Sequence, residues 1–299
     1  MARFRSPANQ TGAAHGASRC AYYFHLDAAE TISLRNALPT ETKTRTDLAT
    51  PDNLIDASTA REGSTYVLVH GAWHGGWCWN AVARILRAQG QQVFTPTLSG
   101  LGERAHLLSK AIDLTVLIQD VVNVLEYEDL TDVILVGHSF GGLPITGAAD
   151  RVPQRIRQLV FLDAVVLEHG QTAFSRLAPE IVAQRIAQSN ESSGGLSIPV
   201  PPASAFGVFE PAQVALLERN CTPHPLKTFD DPITLNGPVG GTIPKVYIQC
   251  VDPVYEPLQA SRDFVRAQEH WTWDEIETGH DAMISAPAAL AAKLLRYAS

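Results

Sequence analysis

The sequence predicts an α/β fold: a mostly parallel central sheet flanked by helices, with a cap inserted between two of its strands. Three observations predict it. Short apolar runs rich in β-branched residues recur along the chain, at Thr65-Tyr66-Val67-Leu68-Val69, Val133-Ile134-Leu135-Val136, Leu159-Val160-Phe161-Leu162 and Lys245-Val246-Tyr247-Ile248-Gln249. Such runs are expected of parallel strands buried on both faces. Helical patterns lie between the early ones, and strands alternating with helices mean a parallel sheet wound right-handedly. The rhythm then breaks between Asp163 and about Gly241 before the sheet resumes. Residues 64–165 and 240–299 are therefore read as the core, and residues 166–239 as the cap.

Residues 1–63 precede that core and differ from it. They are rich in Ala, Thr, Ser and Asn, carry no sustained apolar period, and contain Pro39 and Pro51, which argue against one continuous helix. Arg3, Arg5 and Arg19 all come before the first acid, Asp27, but no apolar stretch of a secretory signal accompanies them. The reading is an irregular leader laid on the surface, with a cleaved targeting segment as the alternative. A chain starting near Glu62 is expected to fold and work.

The first core strand ends in His70-Gly71-Ala72-Trp73-His74-Gly75-Gly76. A glycine-rich loop directly after a strand can turn a backbone N–H toward a pocket, and Ala72 is the candidate donor. His70 and His74 stand four apart, but the glycines oppose a helix and no carboxylate lies nearby in sequence, so no metal site is expected. Trp77 and Trp79 read as packing at the start of a helix that runs to about Gln89 and stops at Gly90. Gln92-Val93-Phe94-Thr95 is the next strand, closed by Pro96, and a loop follows over 99–104. From Leu114, apolar residues recur at Leu117, Ile118, Val121, Val122 and Leu125, a helix with one face buried and Asp113 as its N-cap.

The run at 133–136 enters Gly137-His138-Ser139-Phe140-Gly141 and then a helix to about Asp150. A strand turning sharply into a helix strains the residue at the tip and crowds its neighbours. Positions two before and two after must then lack a Cβ. Ser139, at the tip, is lifted clear of the sheet with a helix N-terminus behind it, where backbone N–H groups can stabilise an oxyanion. In the cap, a helix is expected over 172–188, a flexible loop over 190–195, an extended segment at Ile198-Pro199-Val200-Pro201-Pro202, and a second helix near 212–220. Trp73, His138, Phe206, Phe209 and His224 are the candidates for lining a pocket between cap and sheet. A last strand near 272–276 leads to Thr278-Gly279-His280-Asp281, and a helix from Pro287 closes the chain.

Composition narrows the function classes. A formal charge of −8 with no Lys/Arg-rich run argues against a nucleic-acid partner. No stretch approaches the ~18 apolar residues of a membrane span. Cys20, Cys78, Cys221 and Cys250 form no C-x-x-C pair and suggest reduced thiols in a cytoplasmic protein. No cofactor is expected, and the chain is read as a monomer or homodimer.

Serine is a poor nucleophile at neutral pH unless a base takes its proton, and that base is a histidine held in one tautomer by an acid. His280 and Asp252 both follow predicted strands, at the edge where open α/β sheets place their ligands. The chain order Ser139, Asp252, His280 is the one expected of this architecture. Asp163, which also follows a core strand, is the competing acid.

From about Thr65 to its end the sequence resembles the α/β-hydrolases of the compact group that contains plant methylesterases and hydroxynitrile lyases, with many bacterial carboxylesterases. The residues that carry the likeness are Val67-Leu68-Val69-His70-Gly71-Ala72-Trp73-His74-Gly75-Gly76-Trp77, Gly137-His138-Ser139-Phe140-Gly141-Gly142, Asp252, and Gly279-His280-Asp281-Ala282-Met283. The resemblance implies the α/β-hydrolase fold, Ser139 as nucleophile, His280 as base, Asp252 as its partner, and an oxyanion hole from the N–H groups of Ala72 and Phe140. It implies a serine esterase acting on small or aromatic carboxylic esters. Lactone, amide or C–C bond cleavage on the same triad, or a receptor-like binding protein using the cap pocket, are the alternatives, and the motifs also admit cofactor-free oxygenases. Two positions depart from the lyases of this group, which have Thr at the place of Ala72 and Lys at the place of Asp281. Without that cation a leaving cyanide has nothing to stabilise it. Haloalkane dehalogenases need a carboxylate where Ser139 stands.

Overall fold

The computed structural model describes residues 63–297. The leader expected over 1–63 thus lies, Gly63 apart, outside the described residues. The strands are β1 (Thr65–Val69), β2 (Gln92–Phe94), β3 (Val133–His138), β4 (Ile156–Leu162), β5 (Ser197–Ile198), β6 (His224–Pro225), β7 (Lys245–Cys250) and β8 (Trp271–Ile276). Six of them form one parallel sheet in the order β2-β1-β3-β4-β7-β8. The chain moves from β1 outward to β2, then returns to the other side of β1 for β3. The strand order therefore reverses between β1 and β3, and the crevice beyond their carboxyl ends is where ligands settle in open α/β sheets.

Burial on both faces explains why the strands read as unbroken apolar runs. Val67, Val69, Leu135, Leu159, Phe161 and Tyr247 join one hydrophobic cluster, while their neighbours Tyr66, Leu68, Ile134, Val136, Val160 and Ile248 join the other. This is the period-2 alternation of a strand with core on either side. Of the helices α1 (Asn80–Ala88), α2 (Leu114–Tyr127), α3 (Gly142–Arg151), α4 (Pro179–Ser193), α5 (Pro211–Asn220), α6 (Lys227–Asp230), α7 (Gln259–Arg266), α8 (Ala282–Ser285) and α9 (Pro287–Arg296), α1 and α9 cover the second face through Val82, Leu86, Leu290 and Leu294. Helices α2 and α3 cover the first.

The excursion between β4 and β7 carries α4, α5, α6 and the antiparallel pair β5–β6. Its apolar residues Phe206, Leu217 and Phe229 belong to the same cluster as the first sheet face. Two details differ from the sequence reading. The helix expected from 172 begins instead at Pro179, whose ring suits a first turn and holds Ala178 extended. Thr172 and Ser175 meanwhile exchange side chain–backbone hydrogen bonds with each other. The helix then continues through the polar stretch expected as a loop, where the Ser192 and Ser193 hydroxyls donate to the carbonyls of Gln188 and Ser189. It ends at Gly194, in the left-handed conformation at φ 62°.

The N-cap expected at Asp113 is present: its carboxylate accepts from the Val116 N–H at 3.0 Å and from Lys227 Nζ at 3.2 Å. Asp113→Ala should cost about 1 kcal/mol, a fall in Tm of about 2–4 °C for a domain of this size. Thermal unfolding of the two proteins checks this; an unchanged midpoint would show that the cap contributes nothing.

Candidate active site

The elbow at Ser139 is built by close approach. Ser139 has φ 53°, a left-handed conformation that side-chain-bearing residues seldom adopt. A Cβ on Gly137 would stand 2.6 Å from the Gly141 carbonyl oxygen, and one on Gly141 would stand 2.7 Å from that of His70. Both glycines are thus required by backbone, not by flexible side chains. The second contact presses the loop after β1 against the elbow. Trp73, next to Ala72, also has positive φ (66°) and is fixed from the excursion. Its carbonyl accepts from the Thr222 N–H at 2.8 Å, and its indole N–H donates to the Ile198 carbonyl at 3.2 Å.

His280 Nε2 lies 2.8 Å from Ser139 Oγ, and His280 Nδ1 lies 2.7 Å from Asp163 Oδ2. A carboxylate only accepts, so Nδ1 carries the proton and Nε2 is free to accept from the serine hydroxyl. The carboxylate that meets His280 is that of Asp163, not that of Asp252 as expected. Register gives the reason. His138 on β3 pairs with Leu162 on β4, so Ser139 and Asp163 leave adjacent strands at the same level. Leu162 in turn pairs with Ile248, which puts Asp252 three residues beyond the level of Asp163 (252 − 249 = 3). There Asp252 is exposed, and its N–H is tied to the Thr278 carbonyl. Asp163 is fully buried, has φ 38°, and is anchored by its N–H on the Ile248 carbonyl at 2.7 Å. The loop after β7 does reach the site, but through Tyr255, whose ring stacks on His280 at 4.0 Å.

Behind His280 lies a buried polar layer. His138 donates from Nε2 to the His280 carbonyl at 2.9 Å, and so pins the histidine loop to the elbow. Burial, then the neighbouring His280, pushes the His138 imidazole well below the usual histidine range. His74 Nε2 and Asp281 Oδ2 are 3.0 Å apart, both buried, with the His74 ring stacked on Trp77. Burial opposes the charge on each, yet the pair prevails: Asp281 holds His74 well above its usual range, and His74 holds the Asp281 carboxyl below its own. His70 serves the backbone alone, accepting from Leu98 N–H at Nε2 and meeting the Gly71 carbonyl at Nδ1. Burial pushes its pKa down to about 3. His138, His280 and Asp281 have potential ligand atoms within 4.8 Å of one another. Both nitrogens of His280 are already committed to Asp163 and Ser139, so this cluster is not assigned to a metal.

Buried Arg262 backs Asp163: its guanidinium stands 3.7 Å from Oδ1 and donates to the Tyr255 carbonyl and Gln259 side chain. A cavity of about 30 Å³, open to solvent, lies beside Ser139. Ala72 and Phe140 line it, and so does Trp73. The other pocket candidates do not. Phe209 is largely exposed; Phe206 packs on the rings of Trp73 and His74; His224 takes the Trp73 N–H and bonds to Thr228; His138 lies beneath His280. Sequence reading missed Arg176, Arg185, Phe229 and Tyr255, all of which line the cavity. No local pattern announces them, because each comes from a different element of the excursion or of the β7 loop.

The profile described as the alpha/beta hydrolase family matches residues 66–293. A carbendazim hydrolyzing esterase from Nocardioides sp. is 40% identical over 239 residues, covering 77% of this chain and 98% of that protein. A pheophorbidase from Raphanus sativus is 27% identical over 254 residues, covering 78% of this chain and 94% of the other. Among solved structures, an extracellular alpha/beta-hydrolase from a Paenibacillus species superposes with a TM-score of 0.68 at 26% identity, over 78% of this chain and 98% of its own.

The His74–Asp281 pair makes a prediction with two limbs. His74, raised, contributes stability that is complete below the ordinary histidine value of 6.5 and is lost as pH rises through its folded value. Asp281, lowered, contributes stability present above the ordinary aspartate value of 3.8 and lost as pH falls through its folded value. Asp281→Asn should therefore destabilise most between these limits, by about 3–5 kcal/mol, with the gap from wild type narrowing on both sides. Denaturant melts across pH check it; a gap that does not vary with pH would remove the ion pair from the account.

Proposed function

Because the chain belongs to the alpha/beta hydrolase family, we propose that it is a serine esterase that cleaves small or aromatic carboxylic esters through an acyl-enzyme on Ser139. The observation that carries the reading is the unbroken line Ser139 Oγ, His280 Nε2, His280 Nδ1, Asp163 Oδ2, with links of 2.8 and 2.7 Å, ending on a strained serine in an aromatic-lined cavity. His280 takes the Ser139 proton as Oγ attacks the ester carbonyl. The carbonyl oxygen becomes an oxyanion facing the Ala72 and Phe140 N–H groups. His280 then returns the proton to the departing alkoxide, and the alcohol leaves. A water that surrenders its proton to His280 attacks the acyl-enzyme, and the carboxylic acid and free serine are restored. Buried Asp163 keeps the tautomer correct and stabilises the imidazolium that forms twice in the cycle.

The Nocardioides relative is named for hydrolysing carbendazim, so carbendazim belongs on the panel of aryl esters, lactones and amides used to define the substrate. Free thiols at Cys78, Cys221 and Cys250 support placing the protein in the reducing cytoplasm. With an anion, Asp281, where the lyases of the compact group carry a cation, the enzyme should release no cyanide from aromatic cyanohydrins.

Ser139→Ala should lower kcat on an aryl ester by about 10⁴-fold or more, because triad members act as a unit. Asp163→Asn should cost about 10⁴-fold near neutral pH by leaving the imidazole in the wrong tautomer. Asp252→Asn, at an exposed site, should stay within a few-fold of wild type. Steady-state kinetics at matched folded fraction decides. Retained activity in Ser139→Ala would end the esterase reading, and a collapse confined to Asp252→Asn would return the acid's role to that residue.

A further inference from the structure

Two arginines line the cavity of Ser139 without carboxylate partners. Arg185, on α4, and Arg176, just before it, both line the cavity. Neither makes an ion pair with any acid among the described residues. The Arg185 guanidinium is instead held between aromatic faces, 5.5 Å from the Trp73 ring and 5.3 Å from that of Phe229, and donates one hydrogen bond to the Tyr255 hydroxyl. Arg176 donates from Nη2 to Gln171 at 2.8 Å, while its Nε is buried with no hydrogen-bond partner. In a chain of formal charge −8, two such cations in one apolar cavity do not follow from a basic composition. Lining alone would be served as well by Leu or Met, which carry no desolvated charge. Cation–π contact offsets part of that cost, but a ring face cannot accept the in-plane N–H groups of a guanidinium. A carboxylate can, two at a time.

We propose that Arg185, assisted by Arg176, binds a second, anionic group on the substrate, so that the enzyme prefers esters bearing a free carboxylate over neutral esters of the same shape. The substrate class is then the monoester of a dicarboxylic acid, or an ester whose alcohol half carries a carboxylate. This rests on the esterase reading for the reaction and adds the recognition element. Because Tyr255 touches Arg185 on one side and stacks on His280 on the other, the bound anion sits one side chain from the base.

Two matched pairs of probes test it. Mono(4-nitrophenyl) glutarate is compared with 4-nitrophenyl 5-methylhexanoate, and 4-acetoxybenzoate with 4-tolyl acetate. In wild type the anionic member of at least one pair should have kcat/KM about tenfold higher or more, the size expected of one charge-assisted hydrogen-bonded contact. That ratio should fall to near one in Arg185→Met, fall partway in Arg176→Met, and survive in part in Arg185→Lys, which keeps the charge without the fork. Ratios within each protein are unaffected by loss of folded material. Calorimetric binding of the glutarate monoester to Ser139→Ala separates the two readings. Discrimination in binding with no turnover by wild type would sink the esterase reading and keep the anion site. Turnover of both pairs without preference, or a preference that outlasts Arg185→Met and Arg176→Met together, would overturn the anion site.

Discussion

The contact on which the rest depends is backbone against backbone: Gly141 lies so close to the carbonyls of Val69 and His70 that a Cβ there would come within 2.7–2.8 Å of them. It joins the loop after β1 to the turn after β3, the two strands between which the sheet order reverses. One consequence is that Ala72 and Phe140 line the same cavity. A second is that Ser139 sits in the left-handed region at φ 53°, at the tip of a turn crowded by backbone. Groups held before substrate arrives need not be reorganised when charge develops, and that is the condition under which backbone N–H groups stabilise an oxyanion well.

Around this contact the polar groups are arranged in depth. Ser139 faces the cavity with buried His280 bonded behind it; Asp163 lies behind His280 with Arg262 at its back; His138 holds the His280 carbonyl; His74 and Asp281 form a pair beneath. The layer behind His280 thus contains one net neutral pair and one imidazole kept uncharged. Such a layer can orient His280 without adding a fixed charge that would favour or oppose the imidazolium, leaving Asp163 as the group that does so. Histidines 70 and 74, four apart in sequence, turn out to have unrelated tasks: one fastens two loops through its neutral ring, the other carries charge in an ion pair.

Much of this was legible in the sequence, and the reasons are physical. Strands buried on two faces write their whole length as apolar residues, so β1, β3, β4 and β7 could be read directly. The elbow could be read because steric crowding demands glycine at two fixed positions. Asp163 was visible only as a competitor to Asp252, since both end a strand and both satisfy the chain order. The strand register that separates them, His138 level with Leu162 and Leu162 level with Ile248, is a property of pairing between distant segments. Local sequence does not record it. The cavity lining was least legible. Arg185 sits in a polar helix where an arginine reads as a solvated face, and only the approach of Trp73 and Phe229 from other elements turns it inward. Phe209, by contrast, looked like pocket aromatic surface and lies exposed.

The claim at the centre is covalent: the acyl group of the substrate passes through Ser139 Oγ. Intact-mass spectrometry of enzyme quenched in acid during turnover of a slowly deacylating aryl ester reads this without reference to rates. The mass should rise by one acyl group less one hydrogen, fragmentation should place it on Ser139, and the adduct should be absent from Ser139→Ala. Alcohol release that proceeds with no adduct on the protein, or with an adduct on another residue, would contradict the account.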